Sequence, residues 1–77
     1  MAYYFFIWTD EIEEHLAEHG VTRDEFEQVV CNPVSVRSSH TTDRLRAFGY
    51  SDDGRRLICI YETFDRDTII PVTAWEP

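Results

Sequence analysis

Two arginines spaced two residues apart, Arg44 and Arg46, are the side chains in this sequence whose type and spacing best suit chemistry. Residues i and i+2 of a β-strand point to the same face of a sheet, so the two guanidinium groups would lie side by side. Each presents a planar fork of N–H donors that suits a phosphate. The alternative is that both are exposed strand residues paired with acidic side chains across the sheet.

His40 and Glu62 are the candidates for proton transfer. A site that transfers protons at a bound phosphate needs one group to remove a proton and another to donate one. His40 lies in a polar segment, and histidine is a residue type suited to proton transfer, although a solvated loop histidine is the simpler interpretation. Tyr61 also carries a proton, but it is predicted to lie in the core. Arg44, Arg46, His40 and Glu62 therefore form the candidate catalytic set.

A metal site is a third possibility, because His15 and His19 match the H-x-x-E-H pattern of inverted zinc proteases. The simpler interpretation is a pair of amphipathic histidines that flank the core, since the predicted helix stops at Gly20 and no third ligand follows. Cys31 and Cys59 have no zinc-binding spacing and are expected to be reduced thiols. We therefore predict no metal site and no cofactor, with a metal-dependent hydrolase as the weaker alternative.

Charge is distributed unevenly along the chain. Residues 1–31 carry eight carboxylates and one arginine, whereas residues 32–77 carry seven carboxylates and six arginines, and the sequence contains no lysine. A formal net charge of −8 argues against a protein that coats nucleic acid and against binding to anionic membranes. Any contact with a polyanion is therefore expected on one face of the protein only. The protein is predicted to be cytoplasmic.

Local signals predict two helices in the first half of the chain. Thr9 is a candidate N-cap for a helix over Asp10–His19, which Gly20 would end. Thr22 and Glu25 have the spacing of a capping box at the start of a second helix. That helix is expected to end at Asn32-Pro33, because proline disfavours helical geometry in the residue before it.

Strands are predicted from apolar and β-branched runs separated by turn residues. The predicted strands are Tyr3–Trp8, the short and weak Val34–Ser38, Arg44–Tyr50, Arg56–Thr63 and Thr68–Ala74. Pro71 is expected at an edge or a bulge of the last of these. The coarse order β-α-α-β-β-β predicts a single α+β domain over residues 1–77, a two-layer fold with both helices on one face of a small, mainly antiparallel sheet of three or four strands.

The second face of such a sheet would stay open and is the predicted binding surface. The first predicted strand carries aromatic residues on both faces, with Tyr3, Phe5 and Ile7 on one and Tyr4, Phe6 and Trp8 on the other. Phe48 and Tyr50 fall on the same side of their strand as Arg44 and Arg46. The candidate partner-binding residues are Tyr4, Phe6, Trp8, Phe48, Tyr50 and Trp75. The alternative for Trp75 is that it belongs to a C-terminal tail, residues 74–77, that folds over part of this face.

Short motifs along nearly the whole chain resemble the BrnT toxins of bacterial type II toxin–antitoxin systems. They are Trp8, His19-Gly-Val21, Asn32-Pro33, Asp43-Arg44, Ala47-Phe-Gly49, Gly54-Arg55, Tyr61 and Thr73-Ala74. The resemblance implies a RelE-like fold, a metal-independent endoribonuclease that acts on RNA, and a DNA-binding antitoxin as protein partner. Arg44 matches the family's strand arginine, and Arg55 or Arg56 matches the arginine after the hairpin glycine.

The chain departs from the family pattern at its C-terminal end. Arginines that the family carries in and after the last strand correspond here to Ile70 and Trp75. This departure favours an alternative interpretation, a catalytically inactive toxin-like module that binds a protein through its open sheet face.

Overall fold

A computed structural model describes residues 4–38 and 43–77 of the chain. The elements in chain order are β1 (Phe5–Phe6), α1 (Asp10–Glu18), α2 (Arg23–Cys31), β2 (Ser35–Ser38), β3 (Arg44–Tyr50), β4 (Arg56–Thr63) and β5 (Thr68–Trp75). The predicted α+β class is confirmed. None of the helices in the described part of the chain is long and apolar enough to cross a membrane.

The sheet has five strands in the order β1-β5-β4-β3-β2. The pair β1–β5 is parallel, and the other three pairs are antiparallel. The expectation of three or four strands was therefore wrong, because the weakly patterned segment after α2 forms a complete edge strand. Pro71 lies beside a register shift in β5, where Ile60 pairs with Thr73 and Tyr61 with Pro71, so the predicted bulge is present.

β1 is shorter than the predicted Tyr3–Trp8 strand. At this edge the amide of Phe5 donates to the carbonyl of Asp67, the residue before β5, at 2.7 Å, and the amide of Ile7 donates to the carbonyl of Ile69 in β5 at 2.9 Å. Thr9 then caps α1, with its side chain accepting a bond from the amide of Ile12 at 3.2 Å, so the chain leaves the sheet. The N-cap therefore limits the length of this strand.

Both helix caps form as the sequence predicts. Gly20 follows α1 with φ of 73°, a conformation that glycine adopts without a Cβ clash. The amide of Thr22 donates to Glu25 Oε1 at 3.0 Å, and the amide of Glu25 donates to Thr22 Oγ1 at 3.2 Å, which completes the capping box. The short turn between the helices fixes how α2 lies on the sheet.

The core joins both helices to one face of the sheet. Leu16 of α1 and Phe26 of α2 are buried in one cluster with alternate residues of β3, β4 and β5, including Ala47, Leu57 and Ile69. Helix α1 lies against β5, and α2 lies against β3 and β4. Burial raises the pKa of the Tyr61 hydroxyl, which agrees with the prediction that this residue belongs to the core. The two helices thus cover one face and leave the other to solvent.

The two cysteines differ in exposure, which predicts selective labelling. Burial in the core raises the pKa of the Cys59 thiol to about 12. Partial burial and the nearby Glu27 also raise the pKa of Cys31, but this thiol is exposed at the end of α2. Since only the thiolate reacts, a raised pKa lowers reactivity at a given pH. We expect iodoacetamide at pH 8 to add one label to the native protein, at Cys31, as read by intact mass. Two labels on the folded protein would contradict the burial of Cys59.

Candidate nucleic-acid interface

Alternate residues of β2 to β5 point away from the helices and define the exposed sheet face. Strand register places them in rows, with Arg44 opposite Glu62, Arg46 opposite Arg37 and Ile60, and Phe48 opposite Ile58. The exposed sheet face consists of Ser35, Arg37, Arg44, Arg46, Phe48, Tyr50, Arg56, Ile58, Ile60, Glu62, Ile70 and Trp75. Ile58 lies at its centre and is itself buried by its neighbours.

The charge split along the sequence becomes a split between two sides of the molecule. The residues that define the exposed sheet face include four arginines and a single carboxylate, Glu62. Helices α1 and α2 together carry eight carboxylates and one arginine. A polyanion would thus be attracted to the sheet side and repelled from the helix side, in spite of the overall negative charge.

Arg44 and Glu62 form an ion pair across β3 and β4. Arg44 Nε lies 3.4 Å from Glu62 Oε1, and both side chains are about half exposed, at 50% and 40%. This is the cross-strand pairing that the sequence left open as an alternative for Arg44. It also holds a carboxylate at a defined position on the exposed sheet face, as a general base requires.

Arg37 and Arg46 lie directly opposite each other on β2 and β3. A pocket of about 240 Å³ lies between them and is lined also by Ser35, Phe48 and Ile58. Among the described residues, neither arginine forms an ion pair with a carboxylate. Like charges placed directly opposite are destabilising, so a bound anion would remove a repulsion as well as gain two donors.

Trp75 packs against Arg46, one of the two arginines that line the pocket. The guanidinium carbon of Arg46 lies 5.8 Å from the centre of the Trp75 ring, a cation–π distance. Trp75 belongs to β5 and pairs with Ile58, so the C-terminal tail does not fold across the face as the alternative proposed. The contact restrains the arginine while leaving its N–H donors available to an anion.

The six predicted partner-binding aromatics do not share one surface. Phe48 and Tyr50 contact each other at 5.7 Å between ring centres and lie with Trp75 on the exposed sheet face. Phe6 and Trp8 instead pack against Phe26 of α2, at 6.4 and 5.4 Å.

The register of β1 explains why Tyr4, Phe6 and Trp8 lie on the helix side rather than on the exposed sheet face. Phe6 pairs with Ile69, which is buried in the core, so the side chains of Phe6 and its alternate neighbours Tyr4 and Trp8 follow it to the helix side. Tyr4 packs edge-on against Phe6, at 6.4 Å between ring centres. The indole of Trp8 donates to Glu27 Oε2 at 2.7 Å, so Trp8 is held within the protein.

None of the three histidines is among the described residues of the exposed sheet face. His40 lies outside the described residues, so its role stays a prediction. His15 Nε2 lies 2.9 Å from Thr73 Oγ1, and the His15 and His19 rings are 5.2 Å apart. Within residues 4–38 and 43–77, no group of three or more potential ligands is placed to hold a metal ion.

Arg55, one of the two arginines suggested by the resemblance, has a structural role. It donates to the carbonyl of Gly20 at 2.7 Å, to Glu25 Oε2 at 3.0 Å and to Glu76 Oε2 at 3.1 Å. Its bonds to Glu76 and Glu25 raise the pKa of Arg55 above the usual arginine value. This arginine ties the turn between the helices to the C-terminus, which leaves Arg56 on the exposed sheet face.

Arg37 is the site residue that the sequence did not single out. Its strand is short and weakly patterned, and its position opposite Arg46 depends on the pairing of two segments. The alternation of Val34 and Val36 with Ser35 and Arg37 was the available signal, since it predicts that the last two share a face.

Comparisons with known proteins identified no relative of this chain. No protein-family model matches the chain, and the searches of curated proteins and of solved structures gave no significant match. The resemblance to BrnT toxins therefore stays a prediction from the sequence, and the candidate function rests on the geometry of the exposed sheet face.

Proposed function

We propose that this chain is an endoribonuclease of the toxin type, which binds RNA on its exposed sheet face in the cytoplasm and is neutralised by a DNA-binding antitoxin. One observation supports this most strongly. Two opposed arginines that pair with no described carboxylate, Arg37 and Arg46, lie next to an ion pair that holds a carboxylate, Arg44 with Glu62.

The proposed roles follow from the chemistry of RNA cleavage. Glu62 takes the proton of the 2′-hydroxyl, whose oxygen attacks the neighbouring phosphorus. Arg46 and Arg37 neutralise the phosphate and stabilise the additional charge of the transition state. The leaving 5′-oxygen takes a proton from an acid, for which His40 is the candidate. The expected products carry a 2′,3′-cyclic phosphate and a 5′-hydroxyl end, which mass spectrometry of a cleaved oligonucleotide distinguishes from other ends.

RNA affinity is expected to depend on the opposed arginine pair. In an Arg37→Met, Arg46→Met double variant, the alkyl stems remain while both charged donors are lost, so we expect affinity for a single-stranded RNA to fall roughly 100-fold. Removing two phosphate contacts should also reduce the slope of log K against log salt by about 1.4. Fluorescence anisotropy across a salt series measures both quantities.

An Arg23→Met, Arg66→Met variant is the control, since it changes the net charge equally. Arg23 lies on the helix side, where it pairs with Glu13 at 3.4 Å, and Arg66 lies in the turn before β5. Affinity should stay within a few-fold of the parent, because these positions lie outside the proposed site. Equal losses in both double variants would mean that binding follows net charge, and would remove the proposed phosphate site.

The second candidate function is a protein-binding module without catalysis. The half-exposed ring of Tyr50, packed on Phe48, favours it because exposed aromatics often anchor protein partners. Trp75→Ala would not separate the two functions, because Trp75 contacts Arg46 and its loss would also disturb the proposed phosphate site. Tyr50→Ser separates the two functions, since the module needs Tyr50, whereas the toxin needs Arg37, Arg46 and Glu62. Normal growth and intact RNA after induction would exclude the toxin function.

A further inference from the structure

The edge strand β2 is unusually accessible. All four of its residues are exposed, and among the described residues it pairs only with β3, with a continuous register from Ser35 opposite Phe48 to Ser38 opposite Leu45. Alternate N–H and C=O groups of an edge strand face outward and can pair with another chain. The backbone of β2 therefore presents a template for one additional strand.

β2 lacks most of the features that usually block such pairing. It contains no proline and no lysine, and its register with β3 shows no bulge. The opposite side of the sheet is different, because β1 has only two residues and β5 carries Pro71 beside its register shift. Pairing with a further chain is thus more favourable at β2 than at the other edge.

The side chains of β2 define what an added strand should carry. Val36, which pairs with buried Ala47, points to the helix side yet is 45% exposed, because α2 does not cover the sheet out to this edge. On the other face, Arg37 ends a row that continues with Arg46. An incoming strand would thus meet an apolar side chain on one face and two guanidinium groups on the other.

We propose that the β2 edge binds an extended segment of a partner protein with alternating apolar and acidic residues. Its backbone would add a sixth strand, an apolar side chain would cover Val36, and a carboxylate would pair with Arg37. A second copy of this chain fits less well, because pairing β2 with β2 would bring Arg37 and Arg46 of both copies onto one face. The inference does not rest on the proposed function, although such a segment would also compete for the phosphate site.

The test uses two capped eight-residue peptides, one that alternates valine with glutamate and one that alternates valine with lysine. We expect the glutamate peptide to shift amide NMR signals of β2 and β3 and to bind at least about tenfold more tightly than the lysine peptide. N-methylation of alternate peptide amides should abolish binding, because it removes the donors of the added strand. The full chain is used without nucleic acid, so the result is independent of any RNA activity.

A charge swap provides the decisive control. The Arg37→Glu variant should lose affinity for the glutamate peptide and gain affinity for the lysine peptide. Equal binding of both peptides, insensitivity to N-methylation, or signal shifts confined to α1 and α2 would overturn the proposal. So would the absence of binding at millimolar peptide concentration.

Discussion

Replacing Glu62 by glutamine is expected to lower the rate of RNA cleavage by about 10²–10⁴-fold, the usual contribution of a positioned general base. The amide has nearly the same shape and can still contact Arg44, so the fold and the position of β4 should not change. RNA binding should be retained or strengthened, because one negative charge near the phosphates is removed. Single-turnover cleavage of an end-labelled RNA, together with anisotropy binding, separates the two effects.

The chain offers a closely matched control in Glu13. Glu13 pairs with Arg23 at 3.4 Å, the same distance as Arg44 to Glu62, and the two ion pairs are similarly exposed. Glu13 lies on α1, on the opposite side of the molecule, so Glu13→Gln should leave cleavage unchanged. If Glu62→Gln cleaves RNA as fast as the parent, Glu62 is not the base and the proposed mechanism fails.

The largest expected effect on stability is at Phe26. Its side chain is fully buried and packs edge-on against both Phe6 and Trp8. Phe26→Ala should lower the free energy of unfolding by about 3–5 kcal/mol, from lost burial and from the cavity left behind. Small domains are typically stable by only about 5–15 kcal/mol, so much of the stability would be lost. Urea unfolding followed by circular dichroism measures the change.

Phe64 is the matched control for this substitution. It is the same residue type but is 75% exposed, at the turn after β4. Phe64→Ala should change stability by no more than about 0.5 kcal/mol. A loss below about 1 kcal/mol for Phe26→Ala would show that Phe6 and Trp8 do not pack on Phe26 as described.

The fold places most of the carboxylates of the helices on one side of the molecule and four arginines on the other, and the proposed function depends on this separation. A chain with net charge −8 can present a basic surface only if its carboxylates are collected elsewhere, and the two helices hold eight of them. Most of these carboxylates lie on the solvent side of α1 and α2, away from the exposed sheet face. The helix layer therefore covers the core and also carries the charge that would orient an approaching polyanion.

Local chemistry was enough to predict much of the fold. The caps at Thr9 and Thr22, the glycine after α1 and the turn at Gly54, whose φ is 82°, depend on residues close in sequence. The bounds of β3 and β4 were predicted as observed, because alternating apolar residues and turn signals define them within a few positions. The shared face of Arg44 and Arg46 followed from the same two-residue period.

Tertiary structure decided which segments meet and in what register. A shift of one residue moves every side chain of a strand to the other face, and nothing in the sequence of β1 showed which of its two aromatic sets would be buried. The same reason left Arg37 unrecognised until β2 paired with β3, and left the contacts of Arg55 with Glu25 and Glu76 unforeseen. Sequence determined the elements and the residue types available for chemistry. Pairing between distant strands determined which arginines lie on the exposed sheet face and which hold the fold together, because those contacts depend on residues far apart in the chain.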